Sequence, residues 1–251
     1  MNIKTFGKGE RLAVCGDILE SAAGLCKYSE IIILPIPTSK DGVHLTGCES
    51  TLSELVASVG EGSFVLGYGI PQSFVEDMED RGAVVCDAEG DECFLTRNAE
   101  LTALGTVGIM LTSSKRSPSE LRVGIIGYGR IGKQLLRLLL FLGASVRVFT
   151  RKSSTRIELC SYGVDAEMSS EGDYSGFDFI VNTAPERILG DESAEKALTD
   201  GRIIDLASGD NFPELDGITK LGGIPGLMYP VSAGRVYAEA AIRYEGGEGA
   251  C

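Results

Sequence analysis

Histidine is almost absent from this sequence, because the 251 residues contain one, His44. Zinc sites need several His or Cys ligands at fixed spacing, and neither an H-E-x-x-H pattern nor a C-x-x-C pair occurs. The G-x-S-x-G motif of many serine hydrolases is missing as well. These absences disfavour a metal site and a hydrolase, and His44 itself is expected to be an exposed loop residue rather than a catalytic base.

Long apolar segments and an excess of positive charge are also missing. The most apolar run, residues 135–142, is interrupted by Arg137 and is far shorter than the roughly 20 residues that cross a bilayer. Residues 1–10 lack the apolar core of a signal peptide, so we expect a cytoplasmic protein. The net charge of −13 repels nucleic acid and anionic membranes, so neither is expected as a partner.

The most informative stretch of the chain is residues 121–151. An apolar run at 123–126 predicts a buried parallel strand, a long apolar-rich helix follows to residue 142, and a second strand is expected at 145–149. Strand, helix and strand together form a β-α-β unit. Its first turn has the spacing G-x-G-x-x-G of dinucleotide-binding sites.

Each glycine of this turn has a physical task in such a site. The first permits the tight turn, the second lets the backbone approach a pyrophosphate, and the third lets the helix pack closely on the strand. The alternative is a turn whose glycines serve packing alone, which leaves the fingerprint spacing of all three unexplained. We therefore predict cofactor contacts from the whole turn: Gly127, Tyr128, Gly129, Arg130, Ile131 and Gly132.

The segment after the second strand indicates which dinucleotide to expect. NAD sites usually place an acid about 20 residues beyond the glycines, where it binds the ribose hydroxyls. Residues 149–154 read Phe-Thr-Arg-Lys-Ser-Ser and contain no acid. Their cations and hydroxyls suit a 2′-phosphate, so NADP is predicted, with NAD as the alternative and with contacts from Thr150, Arg151 and Ser153. A solvated basic loop would also account for this composition.

Strands alternate with helices along the chain, which predicts an α/β fold with parallel sheets. We expect a flavodoxin-like α/β domain in residues 1–97, with its first strand at residues 12–15, and an NAD(P)-binding Rossmann domain in residues 118–232. A connecting helix is expected in residues 98–117. The last helix, within residues 233–251, is expected to pack back on the first domain.

Ligands of open parallel sheets bind at the carboxyl ends of the strands, so the loops there are expected to line a cleft between the domains. These loops are rich in Ser, Thr, Gly and Pro, which suits carboxylate recognition by hydroxyl and N–H groups, although ordinary turns have the same composition. Among them, Thr183, Ala184 and Pro185 are assigned to the cofactor. The candidates for proton transfer are Glu100, Asp205, Tyr229 and Tyr237, and none of them stands out.

Several segments together carry a resemblance to a known family. They are Ile-Ile-Ile-Leu-Pro at 31–35, Asn-Ala-Glu at 98–100, the glycine unit, Asn-Thr-Ala-Pro at 182–185, Asp-Leu-Ala-Ser at 205–208, Ile-Pro-Gly at 224–226 and Pro-x-Ser-Ala-Gly at 230–234. Over residues 11–243 the chain resembles the A subunits of dipicolinate synthase, which are relatives of the D-2-hydroxyacid dehydrogenases.

The resemblance implies an NADP-dependent enzyme of sporulation that oxidises dihydrodipicolinate to dipicolinate and whose partner is a flavoprotein-like B subunit. Aromatisation would deliver a hydride to nicotinamide and release a proton, which eases the need for a strong base. By position, the carboxylates of this small dicarboxylate substrate would meet Thr38, Ser39, Ser208 and Ser232.

Two other functions remain open on the same scaffold. One is a different NAD(P)-dependent dehydrogenase of the 2-hydroxyacid type, and the other is a nucleotide-binding subunit without turnover of its own. A homo-oligomer is expected in each case, since dimers are the common state of soluble proteins.

Overall fold

The computed structural model describes residues 1–207 and 215–247. The chain forms two compact units, of which the first combines Met1–Leu101 with Pro225–Cys251 and the second is Thr102–Ile224. Each unit is built on a parallel sheet, so the predicted two-domain α/β class is confirmed. Within the described residues, no helix combines the length and the apolarity that a membrane crossing requires.

The first unit contains a four-stranded parallel sheet in the order β1-β2-β3-β4. Its central strands are almost continuously apolar because helices cover both faces. The strands are β1 (Asn2–Thr5), β2 (Glu30–Ile33), β3 (Ser63–Gly67) and β4 (Val84–Asp87). The helices are α1 (Glu10–Glu20), α2 (Leu52–Ser58), α3 (Gln72–Asp80), the start of α4 (Glu92–Ser113) and α9 (Pro230–Gly246).

The helices of the first unit are divided between the two faces of its sheet. Residues of α1 and α9 share a core with Ile31 and Ile33, whereas residues of α2 share a core with Ile32, which points to the opposite face. The connections β1-α1-β2 and β2-α2-β3 advance in the same direction across the sheet but pass over opposite faces. They therefore have opposite hands, although nearly all such crossovers are right-handed. As predicted, the last helix packs on the first domain.

The predicted strand at residues 12–15 was wrong, because this segment lies within α1. Its buried residues, Leu12, Cys15 and Leu19, recur every three or four positions, which is the period of a helix face. A run of four apolar residues does not distinguish the two structures. The first strand lies earlier, at β1, where Ile3 pairs with Ile31.

The long helix α4 begins at Glu92, earlier than the connecting helix predicted from residue 98. Asp91 accounts for the earlier start, since its Oδ1 accepts the N–H of Phe94 at 3.0 Å and so caps the helix. The last helix also begins earlier than residue 233, with Pro230 in its first turn, where proline is well tolerated.

The second unit contains a six-stranded parallel sheet in the order β10-β9-β8-β5-β6-β7. This is the doubly wound Rossmann order, with the switch in direction between β5 and β8. The strands are β5 (Arg122–Ile126), β6 (Ser145–Thr150), β7 (Asp165–Met168), β8 (Phe179–Asn182), β9 (Arg202–Asp205) and β10 (Ile218–Lys220). The remaining helices are α5 (Arg130–Phe141), α6 (Ser153–Ser161), α7 (Asp191–Asp200) and α8 (Ile224–Met228).

Candidate nucleotide-binding site

The glycine turn joins β5 to α5 at the point where the strand order of the second unit reverses. Gly127 has a φ of 94°, in the left-handed region that favours glycine, and a Cβ there would lie 2.8 Å from Oγ1 of Thr183. A Cβ on Gly132 would collide with the carbonyl oxygen of Gly127. The fold itself therefore requires the first and third glycines.

Gly129 differs from its two neighbours in the motif. Its φ of −84° is accessible to any residue, and a Cβ built there meets nothing within 4 Å. It caps α5 without a side chain that accepts from the first turn, so the N–H groups of that turn face the open space beside it. Contacts within the protein do not explain this glycine, whereas close approach of a phosphate does.

The remaining residues of the turn lie at the rim of this space. Tyr128 and Ile131 are half-buried and Arg130 is exposed. The ammonium of Lys133 lies 5.5 Å from the centre of the Tyr128 ring, and burial raises the pKa of the Tyr128 hydroxyl. The Tyr128 side chain is therefore uncharged at physiological pH.

The loop after β8 is tied to the glycine turn by Thr183. Its hydroxyl donates to the carbonyl oxygen of Ile126 at 2.9 Å, and its N–H donates to the same oxygen at 2.8 Å. Ala184 is buried behind it, and Pro185 is exposed. The segment predicted to contact the cofactor thus lies beside the glycine turn.

Asp205, a candidate for proton transfer, is buried at the end of β9. Its Oδ1 accepts from Nδ2 of Asn182 at 2.8 Å and from the N–H of Ala207 at 3.1 Å. Asn182 in turn accepts the N–H of Ala184 at 3.2 Å. The carboxylate therefore holds the starts of the loops that follow β8 and β9. It is a positioning group, and it is not exposed as a base would be.

The segment after β6 contains the predicted 2′-phosphate contacts, and they differ in accessibility. Thr150 is buried, and its Oγ1 accepts the N–H of Lys152 at 3.2 Å. Arg151 and Ser153 are exposed. Arg151 is not free, because its guanidinium forms a bidentate ion pair with Glu186 in the loop after β8. No local pattern in the sequence marks Glu186 as part of this site.

The predicted substrate hydroxyls of the first unit are differently placed. Thr38 is fully buried, and its Oγ1 accepts the N–H of Tyr68 at 2.9 Å, so it holds the loop together. The Ser39 hydroxyl accepts from the N–H of Gly42 at 2.9 Å. Ser232 is exposed in the first turn of α9. Ser208 lies outside the described residues.

The other candidates for proton transfer are placed as follows. Glu100 is half-buried within α4, and Tyr229 is half-buried just before α9. Tyr237 is fully buried, and its hydroxyl donates to the carbonyl oxygens of Leu34 at 3.2 Å and Leu66 at 3.3 Å. Burial raises the pKa of Tyr237 well above its usual value, so this hydroxyl stays protonated.

His44 lies in an exposed loop and pairs with Asp41, with 2.8 Å between Nδ1 and Oδ2. The histidine holds the pKa of that carboxyl well below its usual range, together with the N–H groups of His44 and Val43. Among residues 1–207 and 215–247, no group of three or more His, Cys, Asp or Glu side chains is arranged to hold a metal ion.

Comparison with known proteins agrees with this geometry. Residues 108–214 match the NAD binding domain of the D-isomer specific 2-hydroxyacid dehydrogenase family. Among curated protein sequences, none matches the chain.

Solved structures share the fold of the whole chain. The A subunit of dipicolinate synthase from Bacillus halodurans has a TM-score of 0.75 and 18% identity, with 97% of each chain covered. Its counterpart from Bacillus subtilis has a TM-score of 0.76 and 19% identity, with 98% of this chain and 96% of that chain covered. D-lactate dehydrogenase from Salmonella has a TM-score of 0.64 and 14% identity, with 100% of this chain and 98% of that chain covered.

The resemblance seen in the sequence is thus confirmed for the fold. The chain shares the fold of the A subunits of dipicolinate synthase, and its residues 108–214 match the NAD binding domain of the D-isomer specific 2-hydroxyacid dehydrogenases.

Proposed function

We propose that the chain is an NADP-dependent oxidoreductase subunit that oxidises dihydrodipicolinate to dipicolinate. The observation that carries the cofactor assignment is Gly129, a glycine that no contact within the protein requires, at the open N-terminus of α5. A dinucleotide pyrophosphate fits there because backbone N–H groups and the helix dipole favour an anion.

The preference for NADP is supported by the end of β6. Residues 149–154 contain no acid for the ribose hydroxyls, while the exposed side chains of Arg151, Lys152 and Ser153 offer two cations and a hydroxyl. Thr150 would act indirectly, because its buried hydroxyl orients the backbone of Lys152.

The substrate assignment is supported by the sequence resemblance, by the fold shared with two A subunits of dipicolinate synthase, and by the presence of a single histidine. The bound nicotinamide would accept the hydride, and the ring would lose one proton as it becomes aromatic. Ser39 and Ser232 are the predicted hydroxyls that keep some exposure, whereas Thr38 shapes the loop. A homo-oligomeric state, a flavoprotein-like B subunit and a role in sporulation in the cytoplasm belong to the same proposal.

The cofactor site is tested with Gly129→Ala. The new methyl group would enter the space assigned to the pyrophosphate, so we expect NADPH affinity to fall by about tenfold or more, on the order of 1.4 kcal/mol. Gly190→Ala is the matched control, because Gly190 caps α7 in the same unit with similar backbone angles and equally open surroundings. Fluorescence titration with NADPH and NADH measures both variants. Equal NADPH binding by the two variants would refute the site, and tighter binding of NADH by the native protein would refute the preference.

The reaction is tested by incubating the full chain with fresh dihydrodipicolinate and NADP, with and without the B subunit. Stoichiometric appearance of NADPH and dipicolinate is expected. NADPH binding without product in either mixture would make the chain a nucleotide-binding subunit without turnover.

A second candidate function has one observation in its favour. His44 and Asp41 form the imidazole–carboxylate pair that a 2-hydroxyacid dehydrogenase could use as acid and base. Turnover of simple 2-keto acids, abolished by His44→Gln, would favour this function over the oxidation of dihydrodipicolinate.

A further inference from the structure

Arg11, in the first turn of α1, is a half-buried cation that the cofactor site does not use. Its Nη2 donates to the carbonyl oxygen of Ile36 over a long 3.4 Å. Within the described residues, no carboxylate lies at ion-pair distance from it. A guanidinium carries several N–H donors, and one long hydrogen bond to a neutral carbonyl leaves most of them without an acceptor among the described residues.

The other cations of the first unit show that this is unusual. Arg243 is also half-buried, and it binds Oδ2 of Asp91 through Nη2 at 2.7 Å and Nε at 3.1 Å. The remaining lysines and arginines described in the unit are exposed. A partly buried charge without a carboxylate partner is unfavourable, and burial lowers the pKa of Arg11 accordingly.

The groups that face Arg11 do not neutralise it. Tyr237 and Cys15 are the titratable groups that act electrostatically on the pKa of Arg11, and burial raises the pKa of both, so both are neutral at physiological pH. Gly226 lies against the guanidinium, where a Cβ would come within 3.2 Å of Nη1 and 3.3 Å of Cζ. The absence of a side chain at Gly226 therefore leaves room for the guanidinium, and any larger residue would occupy that room.

Arg11 also lies at the edge of the sheet where ligands of parallel sheets bind. Ile36 follows the carboxyl end of β2 and leads into the loop of Thr38 and Ser39. Tyr237, close to Arg11, donates to the carbonyl oxygens of Leu34 and Leu66 at the ends of β2 and β3. The fork of an arginine matches the geometry of a carboxylate in a bidentate pair.

We propose that Arg11 binds a carboxylate of a small organic acid at the carboxyl edge of the first sheet. The carboxylate of this acid forms the ion pair with Arg11 that the described residues do not supply. The identification of this acid as the substrate rests on the proposed function, whereas the site itself does not. Arg11 thereby becomes the residue of the first unit that selects an anionic substrate.

The test is a calorimetric titration of the full chain with dipicolinate, D-lactate and inorganic phosphate. Arg11→Gln is expected to weaken carboxylate binding by about tenfold or more and to leave NADPH affinity unchanged. Arg11→Lys keeps the charge without the fork and should recover only part of the affinity. Arg235→Gln, which removes an exposed arginine of α9, is the matched control and should bind as the native chain does.

Gly226→Ala is a second variant that preserves the arginine. Its methyl group would displace the guanidinium, so carboxylate binding should fall although the charge remains. Unchanged carboxylate binding in a folded Arg11→Gln protein, or a native chain that binds phosphate as tightly as either carboxylate, would overturn the site. Arg11-dependent binding of dipicolinate without NADP-linked oxidation would refute the proposed reaction and leave the site intact.

Discussion

Arg151 and Glu186 form an ion pair across the top of the glycine turn, with 3.0 Å between Nη2 and Oε1 and a second, shorter contact from Nη1. Arg151 follows β6 and Glu186 follows β8, and β5 lies between these strands. The pair therefore joins the two loops that flank the turn. The Glu186 carboxylate thus already occupies the Arg151 guanidinium, which is the group proposed to bind a 2′-phosphate.

Glu186 is expected to weaken the preference for NADP. In Glu186→Gln the guanidinium would be released and a negative charge removed, so NADPH affinity should rise by about three- to tenfold while NADH affinity changes little. Fluorescence titration at low and high salt measures the effect, which should shrink as salt rises. Glu195→Gln, on the exposed side of α7, makes the same charge change away from Arg151 and serves as control. An equal gain in both variants would show that only net charge matters.

Asp205 is expected to act through the backbone that it holds and not as a base. Asp205→Ala would leave the Asn182 amide and the Ala207 N–H without their acceptor, which should cost about 1–3 kcal/mol of unfolding free energy. Asp205→Asn retains an acceptor oxygen, so it should lose less stability and keep most of the turnover. Urea denaturation and steady-state rates measure both variants. An Asn variant that binds NADPH normally but has no turnover would identify Asp205 as a catalytic base instead.

The two half-buried arginines of the first unit should respond differently to substitution. Arg243→Gln breaks a partly buried ion pair with Asp91, the cap of α4, and should lower the unfolding free energy by about 2 kcal/mol. Arg11→Gln removes a charge without a carboxylate partner and should leave stability unchanged or raise it. Thermal unfolding without added organic acids compares them. A larger loss in Arg11→Gln would mean that the protein already satisfies this guanidinium.

The thiols should differ in reactivity according to burial. Cys86 is buried in β4, and burial raises its thiol pKa to about 12. Because the thiolate is the reactive form, only about one Cys86 side chain in 10⁴ would be ionised at about pH 8. Cys26 and Cys160 are exposed and should react with iodoacetamide first.

Peptide mapping after timed labelling distinguishes these cysteines, and labelling of Cys86 should require unfolding in urea. Raising the pH from about 7 to 9 should increase the labelling rate of the exposed cysteines, whereas Cys86 should remain unlabelled. Labelling of Cys86 at the rate of Cys26 in the native protein would contradict its placement in the core.

What the sequence could predict depended on whether the signal was local. The three glycines between an apolar strand and an amphipathic helix predicted the β5-α5 turn because each conformational requirement lies within a few residues. Strand β7 was missed because, as an edge strand, it buries only Ala166, and Arg147 pairs with its Asp165 and Glu167. Nothing in the run Asp-Ala-Glu-Met has the pattern of a buried strand.

The site residues that were missed depend on contacts between distant segments. Glu186 meets Arg151 over 35 positions of sequence, and only the strand order of the folded sheet brings them together. Arg11 directly precedes the strand that was predicted at residues 12–15, and its guanidinium lies against Gly226, which is near the other end of the chain. No local pattern contains that relation.

The packing of α9 on the first sheet has a consequence for how the protein is made. The second unit is one continuous segment, Thr102–Ile224, and it has all its strands once that segment has left the ribosome. The first unit is begun earlier, but its core lacks Tyr237 and its neighbours until α9 has been synthesised. During synthesis we therefore expect the later unit to fold first, while the sheet face of the earlier unit that α1 and α9 share stays only partly covered.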